Sequence, residues 1–313
     1  MTLNLHHLRI FARVAQESSF TRAAESLHLS QPAVSKAVRE LERQTGLPLF
    51  ERAGRSTRLT AAGESLHARA RELFAVERSA EEELRALRGL NGGVLRVGAS
   101  TTVATYLLFP YLGRFRAANP RVELRVSSAN TRAIARALLE RRLDIALVEG
   151  PVRHPQIDVV PWREDELMVI MPPSHRLARR RSIRLRDLAG EPFIVREPGS
   201  GTRKVAERAL AAEGVEIDVA LQLGSTEAIK QAVAAGLGLA FVSRFAVGDQ
   251  VALGHLAAIS VREAALGRTL TELQLRGRAS GPAAVAFREL LGLAPTLATR
   301  KGEKVPTGLR PAG

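Results

Sequence analysis

The chain has no cysteine, which excludes a disulfide framework and thiolate chemistry. It has no apolar run of the ~18 residues that a membrane span requires. Its first residues lack the apolar core of a signal peptide, so a cytoplasmic location follows most simply. The histidines His6, His7, His28, His67, His154, His175 and His255 are scattered without zinc-ligand spacing, and no metal is expected. No Gly-x-Ser-x-Gly elbow occurs, and Gly236-Leu237-Gly238 lacks the third glycine of a dinucleotide fingerprint. Gly199-Ser200-Gly201-Thr202-Arg203-Lys204 superficially resembles a phosphate loop, but the Walker spacing and its Lys-Ser/Thr pair are absent. No catalytic residue and no cofactor are therefore expected, and the chain reads as a non-enzyme.

Acidic residues are also scarce: 32 Asp and Glu face 46 Lys and Arg, for a net charge of +14. A basic balance invites a nucleic-acid reading. Residues 1–90, however, hold 14 basic and 11 acidic residues, an excess of only three. The remainder lies further on, notably in Arg176, Arg179, Arg180, Arg181, Arg184 and Arg186, so bulk charge is not a DNA footprint. An Arg-rich composition explains it more simply than nonspecific attraction to nucleic acid. With 313 residues and 45% hydrophobic content, the chain is long enough for a small module plus a larger domain.

What is present is concentrated between Ser18 and Arg52. Ser19 or Thr21 can cap a short helix whose buried side is Ala23, Ala24 and Leu27; small side chains let two helices cross closely. Ser30 is a good N-cap for a second helix, and Pro32 falls in its first turn, where a missing N–H costs nothing. Val34, Val38 and Leu41 then form an apolar stripe. Gln31, Ser35, Lys36, Arg39 and Arg43 take the opposite side, where they can reach base edges or phosphates. Leu47-Pro48-Leu49-Phe50, followed by Arg52, Gly54, Arg55 and Arg58, reads as a two-stranded wing whose arginines straddle the neighbouring backbone. An amphipathic helix pair with a merely solvated face would lack this ordered set of caps, small contact residues and basic wing.

A long helix should follow the wing, capped by Thr60. Leu66, Leu73, Ala80 and Leu87 recur every seven residues, with Ala70 and Leu84 on an adjoining line interrupted by Glu77. Such spacing indicates a seam against another helix, either of its own domain or of a second subunit. Lying between two domains, it is expected to pair with a second copy, because two-fold symmetric proteins read palindromic half-sites. Asn91-Gly92-Gly93 marks the linker.

From Gly93 the pattern is that of an α/β domain. Strands are expected at 94–97, 122–126, 145–148, 167–171, 193–195 and 239–242, and helices at 105–118, 131–141, 202–212, 226–235 and 282–291. Three strand-to-helix junctions are rich in hydroxyls: Gly98 to Thr102, Arg196 to Arg203, and Gly224 to Glu227; Ser128 to Thr131 is a fourth. Each alone reads as plain helix capping. Together around one cleft they would cage a carboxylate, phosphate or sulfur oxyanion at helix N-termini, with Arg196 or Arg203 adding a full charge.

The residues Leu8, Phe11, Val14, Phe20-Thr21-Arg22-Ala23-Ala24, Gln31-Pro32-Ala33-Val34-Ser35, Leu41-Glu42, Leu49-Phe50-Glu51-Arg52 and Leu59-Thr60-Ala61-Ala62-Gly63 resemble the N-terminal pattern of the LysR-type transcriptional regulators. The likeness runs from about Leu3 to Leu293. Arg196 to Arg203 and Ser225 to Lys230 look like the regulators of sulfur assimilation and of carbon fixation.

The resemblance implies an overall α/β protein with an N-terminal all-α winged helix-turn-helix at 1–60 and a dimerisation helix at 61–90. It implies a two-lobed effector domain at 93–293, built like periplasmic solute-binding proteins. The first lobe would comprise 93–161 and 269–293 and the second 162–268, with crossings near Pro161 and Arg268. Residues 294–313 would be a disordered tail. DNA contact falls to Thr21, Ser30, Gln31, Pro32, Ser35, Lys36, Arg39, Arg52 and Arg55. Effector contact falls to Ser100, Thr101, Thr102, Ser128, Thr131, Ser200, Gly201, Thr202, Ser225 and Thr226. The expected partners are double-stranded DNA, a small anionic effector, a second copy in a homodimer that pairs into a dimer of dimers, and RNA polymerase, with no membrane. A solute-binding protein or an α/β enzyme on the same scaffold would leave residues 1–90 without a role.

Overall fold

The computed structural model describes residues 2–53, 56–87, 92–262, 266–278 and 280–293. Arg55 and the tail at 294–313 lie outside these. The chain divides into two compact units, Met1–Leu87 and Arg88–Gly313.

In the first unit, α1 (Leu5–Glu17) is capped by Asn4, whose Oδ1 accepts from the amides of His6 and His7. It buries Leu8, Ile10, Phe11 and Val14. Ser19, and not Thr21, caps α2 (Phe20–Leu27) by accepting from the Arg22 amide at 3.3 Å. Ser30 caps α3 (Gln31–Thr45) through the Ala33 amide, and Gly46 ends that helix at φ +70. Ala23 and Ala24 are buried where α2 meets its neighbours. Fully burying a side chain such as Phe11, or any of the Leu and Val in this core, contributes about 1.5–3 kcal/mol.

The wing pairs β1 (Phe50–Ala53) antiparallel with β2 (Ser56–Leu59). Phe50 anchors it, its ring 5.3 Å from Phe11 and 5.5 Å from Phe20. Thr60 Oγ1 accepts from the Gly63 amide and donates to Pro48 O, so one hydroxyl both starts α4 (Ala61–Leu87) and ties it to the base of the wing. A Cβ on Gly63 would lie 2.1 Å from Leu49 O, so only glycine fits this approach.

The heptad line of α4 divides. Leu66, Ala70 and Phe74 pack into the core of their own unit, which takes Leu66 and Ala70 out of the expected seam with a second copy. Glu77 interrupts that line because both of its carboxylate oxygens bind Arg9 Nη2 of α1, at 2.7 and 2.6 Å. Leu73, Val76 and Leu84 stand 40%, 64% and 62% exposed, and Ala80 is exposed as well.

The second unit opens with β3 (Gly93–Ser100). A continuous helical run follows: α5 (Thr101–Val103), a π-helical turn at Ala104–Leu108 and α6 (Phe109–Ala118). Then come β4 (Val122–Ala129), α7 (Thr131–Leu139), β5 (Ile145–Glu149) and the long β6 (Ile157–Met171). The chain continues through β7 (Ser182–Ile183), β8 (Pro192–Arg196), α8 (Gly201–Ala212), β9 (Asp218–Leu223), α9 (Thr226–Ala234), β10 (Ala240–Ser243), α10 (Gly248–Ala252) and β11 (Ala257–Val261). It returns along β12 (Gly267–Leu275) to α11 (Pro282–Leu290).

β3 runs parallel to β4 and β5, while β12 runs antiparallel between β5 and β6. The far half of β6 pairs with β10 and β11, and β8 pairs parallel with β9. Two cores result. Leu95, Phe115, Leu147, Leu270 and Phe287 fill the first lobe; Val169, Phe193, Leu210, Phe241 and Ile259 fill the second.

β6 and β12 carry the chain between lobes, paired from Ile157↔Leu275 to Glu166↔Gly267. Pro161 and Arg268, where the crossings were expected, lie on β6 and β12. Trp162 still belongs to the first lobe, packing on its core and donating to Leu291 O. The run Arg163-Glu164-Asp165-Glu166 hides this strand in the sequence, because paired crossing strands need no apolar face where they span the gap. β9 escapes detection for a related reason: all but its last residue are exposed.

Candidate nucleic-acid interface and ligand cleft

The outer face of α3 is an ordered polar surface. Gln31 Nε2 donates to Ser35 Oγ at 2.9 Å, which fixes both side chains on the exposed first two turns. Lys36 and Arg39 are exposed, and their side chains make no ion pair or hydrogen bond among the described residues. Arg43 differs. Glu40 grips it through Nε and Nη2 at 2.9 and 2.6 Å, and the guanidinium holds the Glu40 carboxyl below its usual range. The charge of Arg43 is thus already matched, leaving Lys36 and Arg39 as the unspent cations of the helix. Thr21 and Pro32 are exposed; Ser30 spends its oxygen on the cap. Arg58 is exposed on β2, and Arg52 lies on β1.

The residue that reading by pattern missed here is Glu42. Its Oε1 accepts from the amides of Leu49 at 2.8 Å and Phe50 at 3.3 Å, buckling the recognition helix to the wing. The signal was an acid beside the buried Leu41, on a face where a solvated carboxylate has little reason to be.

In the second unit, hydroxyls from both lobes meet around a set of buried ionisable side chains. From the first lobe, Ser100 Oγ accepts from the Glu149 amide at 3.3 Å, Thr102 Oγ1 donates to Glu149 Oε1 at 3.2 Å, and Thr131 Oγ1 donates to Glu149 O at 2.7 Å. From the second lobe, the start of α8 is pressed against the end of β5: a Cβ on Gly201 would lie 1.9 Å from Glu149 O. Arg196, 3% exposed, spans the lobes, donating through Nη2 to Thr101 Oγ1 at 3.4 Å and through Nη1 to Thr226 Oγ1 at 3.2 Å. Thr202 Oγ1 accepts from Arg268 Nη1 at 2.9 Å.

Of the expected effector residues, Ser100, Thr101, Thr102, Thr131, Gly201, Thr202 and Thr226 are therefore brought together. Ser200 is buried beside them but spends its oxygen capping α8. Ser128 and Ser225 are exposed, the latter as the cap of α9. Between the two candidate cations the structure chooses Arg196. Arg203 is turned elsewhere, donating to Glu207, Gln222 and Arg196 O.

Apart from Arg196, the charges around these hydroxyls were not legible as a site. Arg268 and Asp165 face each other across the two crossing strands, at side-chain exposures of 2% and 0%, and join at 2.7 Å. Ser243 Oγ donates to the other Asp165 oxygen. Arg196 is clasped by Glu197 through two hydrogen bonds. Glu149 is left without a full partner: Thr102 serves Oε1, while Oε2 is buried with no hydrogen bond. Burial pushes the Glu149 carboxyl up, against the pull of Arg268 and Arg196. Nearby, Lys230 is also buried, donating to Ala246 O and pairing with Glu227, to which the Tyr106 hydroxyl donates from the first lobe.

Such a cleft can hold a small anion among hydroxyls and guanidiniums. Among the described residues there is no cluster of His, Cys, Asp and Glu fit for a metal, and no helix is long and apolar enough to cross a membrane.

Comparison with known proteins agrees with this geometry. Residues 5–64 match the model of the bacterial regulatory helix-turn-helix proteins of the lysR family, and residues 88–294 match the LysR substrate binding domain. A RuBisCO operon transcriptional regulator of Allochromatium vinosum is 38% identical over 291 residues, covering 93% of this chain and 96% of its own. Full-length OxyR of Pseudomonas aeruginosa, solved as a point variant, superposes with a TM-score of 0.75 at 26% identity, over 93% of this chain and 94% of its own. The regulatory domain of Synechocystis CcmR, in complex with 2-PG, superposes with a TM-score of 0.60 at 30% identity, over 64% of this chain and 95% of its own.

Proposed function

This chain belongs to the LysR family of bacterial transcriptional regulators, and we propose that it binds DNA through α3 and the wing while a small anion in the cleft decides how it sits there. Gln31, Ser35, Lys36 and Arg39 read the major groove; Thr21, Ser30 and Pro32 border it, and Arg52, Arg55 and Arg58 hold the flanking backbone. The exposed Leu73, Val76 and Leu84 of α4 pair with the same helix of a second copy, and such dimers pair again. A protein with this role works where the chromosome is, in the cytoplasm.

One observation carries the effector reading: a buried arginine, Arg196, donates to a threonine from each lobe, Thr101 and Thr226. An anion placed between them would take over these donors and those of Thr102, Thr131 and Thr202, binding one lobe arrangement better than another. A carboxylate, phosphate or sulfur oxyanion has the required charge and acceptors. The similarity to a domain solved with 2-PG, and to a regulator named for the RuBisCO operon, favours a phosphorylated or carboxylated metabolite.

A thermal-shift screen with sulfate, sulfite, phosphorylated sugars and dicarboxylates tests this, since ligand binding to the native state raises its midpoint. One class should raise Tm, and Thr202→Ala should abolish the rise while footprinting shows the same protected DNA. An unchanged response in Thr202→Ala would remove the cleft from the proposal without touching DNA binding.

A further inference from the structure

Outside the cleft, the second lobe has a concavity of about 480 Å3 lined by Arg180, Arg181, Arg184, Arg186 and Arg262, with Asp187 as the one carboxylate among its described lining residues. The aspartate does not balance these charges. Its Oδ2 accepts from the Arg184 amide at 2.9 Å and lies 3.4 Å from Arg180 Nη1, so it is shared between the loop backbone and a single guanidinium. Arg262 donates through Nε to Ser182 Oγ at 2.9 Å, a neutral partner, and has no ion pair among the described residues. The side chains of Arg181 and Arg186 make no ion pair or hydrogen bond among the described residues.

These arginines stand on a fixed frame. Leu177, Ile183, Leu185 and Leu188 are buried in the second-lobe core and pin the segment that carries them. β7 pairs parallel with β11, and the Arg262 amide donates to Ile183 O, which holds the two sides of the concavity in register. A solvated arginine run on a flexible loop would spread its charges apart. Here the backbone holds five guanidiniums around one space, so less ordering entropy is lost when a ligand arrives.

We infer that this concavity binds a compact polyanion carrying at least two phosphoryl groups on a small frame, such as a sugar bisphosphate or a nucleoside triphosphate. Its volume lies within the roughly 300–1,000 Å3 of small-molecule sites. A single oxyanion would satisfy only one or two of the guanidinium forks, each of which suits phosphate bidentately. A duplex presents its phosphates in an extended row, which does not match five guanidiniums gathered around one concavity. The site is separate from the effector cleft and would report a second chemical signal to the same regulator.

Isothermal titration of the full-length protein tests this with fructose 1,6-bisphosphate and ATP as probes and inorganic phosphate as the single-anion control. At least one probe should bind about tenfold or more tightly than phosphate. The triple variant R181A/R184A/R186A should lose that binding at least about tenfold, while Thr202→Ala, which alters only the cleft, keeps it. All three arginines are exposed, so an unchanged Tm and circular dichroism spectrum should accompany the loss. The inference is overturned if neither probe outcompetes phosphate, if the triple variant binds as the parent does, or if Thr202→Ala alone removes binding. It is also overturned if the triple variant keeps the probe but loses duplex affinity, which would make the patch a DNA contact.

Discussion

Glu149 ends a strand that is buried along its whole length, and its carboxylate sits where an anionic ligand would have to approach. A fixed negative charge there opposes the proposed function; a protonated carboxyl supports it, because it can donate to the anion. Burial raises its pKa, so the native state keeps a proton that the unfolded chain releases near the ordinary carboxylate range. Stability is then greatest below that range and falls as pH rises through the raised native value. Glu149→Gln keeps the shape and removes the titration. It should flatten that fall in a pH series of denaturant melts and raise Tm at neutral pH. Anion affinity in the parent should strengthen as pH drops, and in the variant it should not; a variant that keeps the parent's pH slope would clear Glu149 of the role. The hydroxyls beside it could be read from the sequence because Ser and Thr before a helix have a local meaning. Glu149 could not, since an acid closing an apolar strand acquires its role only from Thr102, Arg196 and Arg268, which are brought to it from other elements.

At the scale of elements, α3 and the wing separate two effects that a binding assay alone would merge. Arg39 faces outward without a partner, so Arg39→Ala should weaken specific DNA binding by about 1–3 kcal/mol and leave Tm nearly unchanged. Glu42 faces the wing and accepts two amides. Glu42→Ala should cost about 1–3 kcal/mol of stability in chemical denaturation and lower DNA affinity only through that loss. If Arg39→Ala unfolds the domain, or Glu42→Ala leaves the melt untouched, the two roles are exchanged. Much of this unit was readable in advance: Ser30 and Pro32 open α3 where their cap chemistry says they should. In the second unit β6 was read only at its apolar end and β12 not at all. A strand announces itself by the face it buries, whereas these two are defined along the crossing by pairing with each other.

For the whole molecule the proposed dimer seam is the outer line of α4. Leu73, Val76 and Leu84 are large apolar side chains left exposed along one helix, while its other side is already committed to Arg9 and the core. Replacing two of them with acids, V76E/L84E, should give a monomer in analytical ultracentrifugation. It should also reduce affinity for a two-half-site operator by about 100-fold or more, to the level of a single half-site. A variant that stays dimeric would move the interface away from this helix.

The local grammar of caps, small contact residues, heptads and hydroxyl-rich junctions was in the amino-acid order, because each depends on neighbours within a few turns. That was sufficient for the winged helix-turn-helix, the long helix and the α/β half. Tertiary structure decided what depends on distant partners. It selected Arg196 over Arg203 as the cleft cation, set Arg268 against Asp165 across the crossing strands, and neutralised Arg43 while leaving Arg39 free. It also gathered a run of arginines, which composition alone would dismiss, around one concavity. A charge means little until its counter-charges are placed, and placing them requires the fold.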